Sequence, residues 1–230
     1  MTWVKICGIT NLEDAQTAAE AGADALGFVF YEKSSRNISP EAARSIVAEL
    51  PKHLEKVGVF VDQPAERILA VTDRVGLTAL QIHLSWPLRP GQYPTGLGVA
   101  ASKRKLRVHL AIPAGQLIEH GIAWFSPDEK GRADSNSDGV IFLDSGTAQQ
   151  PGGTGRTFNW EEIASSIHDV NVFRFVVAGG LTPTNVAEAM RILKPWGVDV
   201  SSGVEAVPGK KDPEKVRAFI AAVREEDRKV

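Results

Sequence analysis

A thiol, an aspartate and an arginine are the residues of this chain whose types and positions best suit proton transfer and anion recognition. Cys7 is the only cysteine among 230 residues, and Gly8 follows it at once. A lone cysteine is more often an inert small hydrophobe in a core, so its placement must supply any other reading. A thiolate removes protons near neutral pH only if its pKa falls from about 8.5. Lys5, two residues back and on the same side of an extended strand, carries a charge able to lower it. Asp144 closes the apolar run Val140 to Leu143. An aspartate after a strand often caps the next helix, but that helix starts well downstream, near Asn159, which leaves Asp144 open for acid–base work. Arg36, in the polar run Glu32-Lys33-Ser34-Ser35-Arg36-Asn37, reads either as a solvated charge or as a two-pronged clamp on a carboxylate. Gln81 and His83 alternate on one short run, and His83 reads either as a satisfied core imidazole or as a site residue. Three glycine-rich stretches remain: Gly152-Gly153-Thr154-Gly155, Gly179-Gly180 and Ser201-Ser202-Gly203. Such stretches make tight turns, or let backbone N–H groups and a serine hydroxyl approach an oxyanion. No His/Cys/Asp/Glu cluster has metal-ligand spacing, so no metal is expected.

The elements that must position these groups alternate along the chain. Trp3 to Cys7 reads as a first strand, and Thr10 with Glu13 as the capping box of a helix that stops at Gly22. Strands follow at Ala25–Phe30, Lys56–Val61, Ala79–His83, Leu106–Ile112, Val140–Leu143, Phe173–Val177 and Val198–Val200. Helices are expected from Ser39-Pro40, from Pro64 to about Val75, weakly around Gly115–His120, over Trp160–Ile167, from Thr182-Pro183, and from Asp212-Pro213 to about Glu226. Irregular insertions are expected near 85–104 and 125–139, the first rich in proline and glycine and the second strongly polar. Eight strand–helix repeats predict one α/β domain over 1–230, a parallel (β/α)8 barrel, with an open doubly wound sheet as the alternative. In the barrel, Cys7, Arg36, Gln81, His83, Asp144 and the glycine loops share the carboxyl rim. Cys7 and Asp144 then stand roughly across it as a base and acid pair, and the loops after strands seven and eight take the usual phosphate position. Inward parity on adjoining strands one and eight also pairs Lys5 with Asp199.

A hydrophobic content of 43% and a charged content of 23% suit a globular chain with a substantial core. A net charge of -2 argues against a broad surface for nucleic acid. One cysteine makes no intramolecular disulfide, no basic-then-apolar leader is visible, and no run reaches the ~20 apolar residues of a membrane span. A cytoplasmic protein without membrane or nucleic-acid partners is expected, as a monomer or homodimer.

The segments Lys5-Ile6-Cys7-Gly8-Ile9-Thr10, Gly22 to Phe30, Ser35-Arg36, Val57 to Asp62, Gln81-Ile82-His83, Gly152 to Gly155, Ala178 to Leu181 and Asp199 to Glu205 together resemble the phosphoribosylanthranilate isomerase family of tryptophan biosynthesis. The resemblance implies an Amadori rearrangement of N-(5-phosphoribosyl)anthranilate to the 1-deoxyribulose 5-phosphate form. It makes Asp144 the general acid at the furanose oxygen and Cys7 the general base at C2. It gives Arg36 the anthranilate carboxylate, and Gly179-Gly180 and Ser202-Gly203 the phosphate, with Gly153, Gln81 and His83 also binding substrate. No cofactor is implied, because the substrate's own nitrogen is the electron sink. The family has glycine where Leu84 follows Gln81-Ile82-His83, and the stretch from Ser85 to Gly139 matches poorly. Two alternatives are a histidine-pathway or dual-substrate phosphoribosyl isomerase, against which Cys7 weighs, and a phosphosugar-binding barrel without chemistry.

Overall fold

The structure, a computed structural model, describes residues 1–84, 96–120, 140–145, 157–167 and 174–229. Eight parallel strands close on themselves in chain order: β1 Trp3–Cys7, β2 Ala25–Val29, β3 Glu55–Val61, β4 Ala79–His83, β5 Arg107–Pro113, β6 Ile141–Asp144, β7 Phe175–Ala178 and β8 Gly197–Val200. The helices outside them are α1 Leu12–Glu20, α2 Pro40–Ala48, α3 Ala65–Val75, α4 Leu97–Lys103, α5 Ala114–His120, α6 Trp160–Ile167, α7 Val186–Leu193 and α8 Pro213–Asp227. Closure favours the barrel over the open sheet. β1 joins β8 with Lys5 beside Asp199 and Val4 beside Val198. A two-stranded hairpin, β9 Glu205–Val207 and β10 Lys210–Lys211, follows β8.

Alternation on β1 builds the barrel interior in layers, as a filled barrel requires. Trp3 packs with Ala25, Val57 and Ala79 at the amino end. Lys5 comes next, its Nζ 5.3 Å from the centre of the Phe142 ring. Cys7 forms the top layer with Val29 and Val59. The opposite parity, Val4 and Ile6, faces the helices in the main apolar core with Leu26, Phe28 and Phe60.

Serine and aspartate caps stand where expected. The Ser39 side chain accepts from Ala42 N at the start of α2, and Asp212 accepts from Glu214 N and Lys215 N at the start of α8. Two expected starts move. Thr10 does not cap α1, because its hydroxyl is spent on the Gly209 carbonyl across the chain, 2.5 Å away. Asn11 caps instead, accepting from Asp14 N at 2.9 Å. Helix α7 starts at Val186 rather than at Thr182-Pro183, since Asn185 Oδ1 turns back to accept from Thr182 N. A third correction concerns the stretch expected to be irregular near 85–104: Leu97–Lys103 is helical, and buried Leu97 and Ala101 stand one turn apart on its inner face. Residues 85–95, the second expected insertion at 125–139, and Phe173 lie outside the described residues. Among the described residues no helix is long and apolar enough to cross a membrane.

Candidate active site

A cavity of about 440 Å3 opens at the carboxyl ends of the strands. Cys7, Arg36, Gln81, His83, Asp144, Gly179, Gly180 and Ser202, all picked out from the sequence, line it together. Gly203 does not line it, nor does Asp62 at the end of the matching segment Val57 to Asp62, and Gly153 lies outside the described residues. Asp62 sits just beyond β3 in a left-handed conformation, φ 47°, with its N–H donated to the His83 carbonyl at 3.1 Å.

Cys7 ends β1 with its Cα beside Gly27 of β2, and it is 8% exposed. That glycine is required by close approach: a Cβ there would come within 2.7 Å of Cys7 Sγ and 3.0 Å of Lys5 Cε. The expected Lys5–Asp199 pair is present, with Lys5 Nζ 2.9 Å from Asp199 Oδ1 in the closed interior. Burial pushes the Cys7 thiol up, Lys5 pulls it down by charge and by a hydrogen bond, and Asp199 adds to the rise. Burial likewise opposes the Lys5 ammonium, but Asp199 and Cys7 outweigh it and the ammonium is held. Cys7 therefore rests as a thiol: Lys5, paired with Asp199, offsets part of the burial cost but does not bring the pKa below the ordinary value, as its charge alone would have done.

Asp144 is the last residue of β6, beside Pro113 of β5, and it is partly exposed to the cavity. His83 is neutral: burial and the Lys5 charge lower its pKa to about 4. Its Nε2 lies 3.1 Å from Gln81 Nε2, so the neutral ring accepts from the Gln81 amide. His83 is thus a hydrogen-bonded wall of the cavity, not an acid at neutral pH. The buried Gln81 Oε1 has no partner among the described residues.

Arg36 reaches the cavity through a gap left by Gly8, which sits at φ 78° and whose added Cβ would lie 2.6 Å from Arg36 Cδ. It is not the freely solvated charge its polar flanks suggest. Its Nε and Nη2 donate to Glu205 Oε1 and Oε2 at 2.8 and 2.7 Å. Lys211 Nζ is 3.0 Å from the same Glu205 Oε1. Burial alone would raise the Glu205 carboxyl, but the Arg36 and Lys211 contacts hold it below the usual range. Glu205 and Lys211 were not expected in the site. Glu205 lay inside a matching segment without a stated role, and nothing in the pattern around Lys210-Lys211 marks the second lysine.

Gly179 and Gly180 follow β7 with φ of 87° and 68°. An added Cβ at Gly179 would run into the backbone and side chain of Ser145 after β6, and one at Gly203 would run into the Leu181 carbonyl. Ser145 at the end of β6 and the turns after β7 and β8 are packed too closely for a Cβ at these two glycines.

A closed (β/α)8 barrel whose polar groups converge in a carboxyl-end cavity places the chain among the barrel enzymes. The model of the N-(5'-phosphoribosyl)anthranilate isomerase family matches residues 4–222. An N-(5'-phosphoribosyl)anthranilate isomerase of Pelobacter propionicus is 44% identical over 225 residues, which is 98% of this chain and 97% of that one. The Thermotoga maritima crystal structure of phosphoribosyl anthranilate isomerase superposes with a TM-score of 0.79 at 41% identity, covering 98% of this chain and all (100%) of the other. A phosphoribosyl anthranilate isomerase in complex with reduced 1-(o-carboxyphenylamino)-1-deoxyribulose 5-phosphate gives 0.76 at 39%, again over 98% of this chain and 100% of the other. The chain belongs to the N-(5'-phosphoribosyl)anthranilate isomerase family.

Proposed function

We propose that this chain converts N-(5'-phosphoribosyl)anthranilate to 1-(2-carboxyphenylamino)-1-deoxyribulose 5-phosphate, with Asp144 and Cys7 as its acid and base. The observation that carries this reading is that both groups, on β6 and β1, line one cavity that Arg36 and the Gly179-Gly180 turn also line. Asp144 gives its proton to the furanose oxygen as the C1–O bond breaks, and the nitrogen lone pair forms the C1=N bond of a Schiff base. Cys7 takes the proton from C2, and those electrons move through C1 to nitrogen, leaving an enolamine that tautomerises to the ketone. No external electron acceptor is needed. The Lys5 ammonium beside Cys7 favours the thiolate that begins the second step.

Arg36 receives the anthranilate carboxylate, and Gly179, Gly180 and Ser202 receive the phosphate through backbone N–H groups and the serine hydroxyl. Gln81 Oε1 is an acceptor open to a sugar hydroxyl. A base that is a thiol works only while reduced, which suits the cytoplasm. Turnover of phosphoribosylanthranilate by the wild type, Cys7→Ser and Asp144→Asn tests the assignment. We expect both variants to lose about 100- to 10,000-fold in kcat, while either variant turning over near the wild-type rate removes that residue from its role.

A further inference from the structure

We infer that Glu205 is a positioning residue that aims Arg36 at the substrate, and that its pairing with Lys211 sets the charge of the carboxylate subsite; this rests on Arg36 as the receptor of the substrate carboxylate. Arg36 carries a flexible stem into the cavity, and on its own such a stem holds no single direction. Glu205 occupies the Nε–Nη2 edge of the guanidinium with two short hydrogen bonds, and its side chain is 5% exposed. Among the described residues Nη1 meets no acceptor, so the donor end of the fork left open is the one away from Glu205. A planar fork held on one edge presents its remaining donors in a fixed direction.

Glu205 is itself held from behind. The hairpin sets Glu205 of β9 beside Lys211 of β10, and Lys211 Nζ bonds both Glu205 Oε1 at 3.0 Å and the Ser201 carbonyl at 3.2 Å. The Lys211 N–H donates to Asp14 Oδ2 of α1 at 2.7 Å. The three side chains Arg36, Glu205 and Lys211, bonded to one another, together carry one net positive charge beside the cavity, a match for one monovalent carboxylate. Without Lys211, the Arg36–Glu205 pair would be neutral and would offer an incoming anion orientation but little attraction.

The test measures Kd for two ligands, reduced 1-(o-carboxyphenylamino)-1-deoxyribulose 5-phosphate and the same compound lacking the carboxyl group. The wild type should prefer the carboxylated ligand on the order of 10- to 100-fold. The double variant Glu205→Met with Lys211→Met keeps the net charge of the cluster but leaves Arg36 without that acceptor, and its preference should fall by about tenfold. Binding of the carboxyl-free ligand reports that the barrel and phosphate subsite are intact. Glu205→Met alone separates positioning from charge: a weakened preference supports positioning, whereas an unchanged or strengthened one overturns it. Arg36→Met tests the reading beneath. If Arg36→Met keeps the preference, the carboxylate does not bind Arg36; if Arg36→Met loses it while the double variant keeps it, only the role of Glu205 fails.

Discussion

The Cys7 thiol has a burial cost on one side and a cation on the other, and this balance sets its pH behaviour. Because burial dominates, its pKa lies above the ordinary thiol value. Alkylation of the free enzyme by iodoacetamide should therefore rise with pH and reach its midpoint above that value. Lys5→Met removes the opposing cation but leaves the Asp199 carboxylate, so the midpoint should move further alkaline and turnover near neutrality should fall. The same variant leaves a buried charge without its partner, which costs about 3–5 kcal/mol in a urea titration; pairing it with Asp199→Asn should recover part of that loss. A midpoint that does not move in Lys5→Met would show that Lys5 does not tune the thiol.

Where a strand ends, the sequence says a great deal about which side chains reach the rim. Cys7, Asp144, Gln81 and His83 are legible because each stands at the carboxyl end of a short apolar run, and strand ends are local features; period-two parity adds the Lys5–Asp199 pair. Arg36 was placed but its environment was not, since its partner Glu205 lies 169 residues away and two charges at that separation leave no pattern in the chain. Helix starts were partly legible for the same reason. Thr10 is a sound cap by type, and only the distant Gly209 carbonyl diverts it. Helix α4 was hidden by the prolines and glycines just before it. Among the turns, Gly179 carries two constraints at once: it needs both a positive φ and the absence of a Cβ next to Ser145. Gly179→Ala should cost about 1–3 kcal/mol in stability and raise KM through displacement of the loops after β6 and β7. Unfolding and steady-state kinetics on the one variant check both, and wild-type values for both would contradict the packing described.

The whole barrel depends on keeping its interior groups in their buried states. His83 has a pKa of about 4 in the folded protein, against about 6.5 when unfolded. Below pH 6.5 the unfolded chain therefore takes up a proton that the folded chain refuses, so stability falls as the pH drops from 6.5 to 4. The accumulated loss is about 3 kcal/mol from this group. Urea unfolding at pH 7 and pH 4 should show that difference shrinking in His83→Gln; an equal pH dependence in both proteins would mean that His83 is not the group responsible. Thr2 N and Oγ1 donate to Asp227 of α8, and Arg224 bridges Thr2 O to Asp24, tying β1 to the last helix.

The most direct test of Cys7 as the base is the turnover of substrate deuterated at C2. Cys7→Ser puts a much poorer base at the same place, so cleavage of the C2–H bond should limit its rate and a clear primary isotope effect should accompany the lost activity. A large drop in kcat for Cys7→Ser with no isotope effect would place the damage at another step, and Cys7 would not be the group that takes the C2 proton.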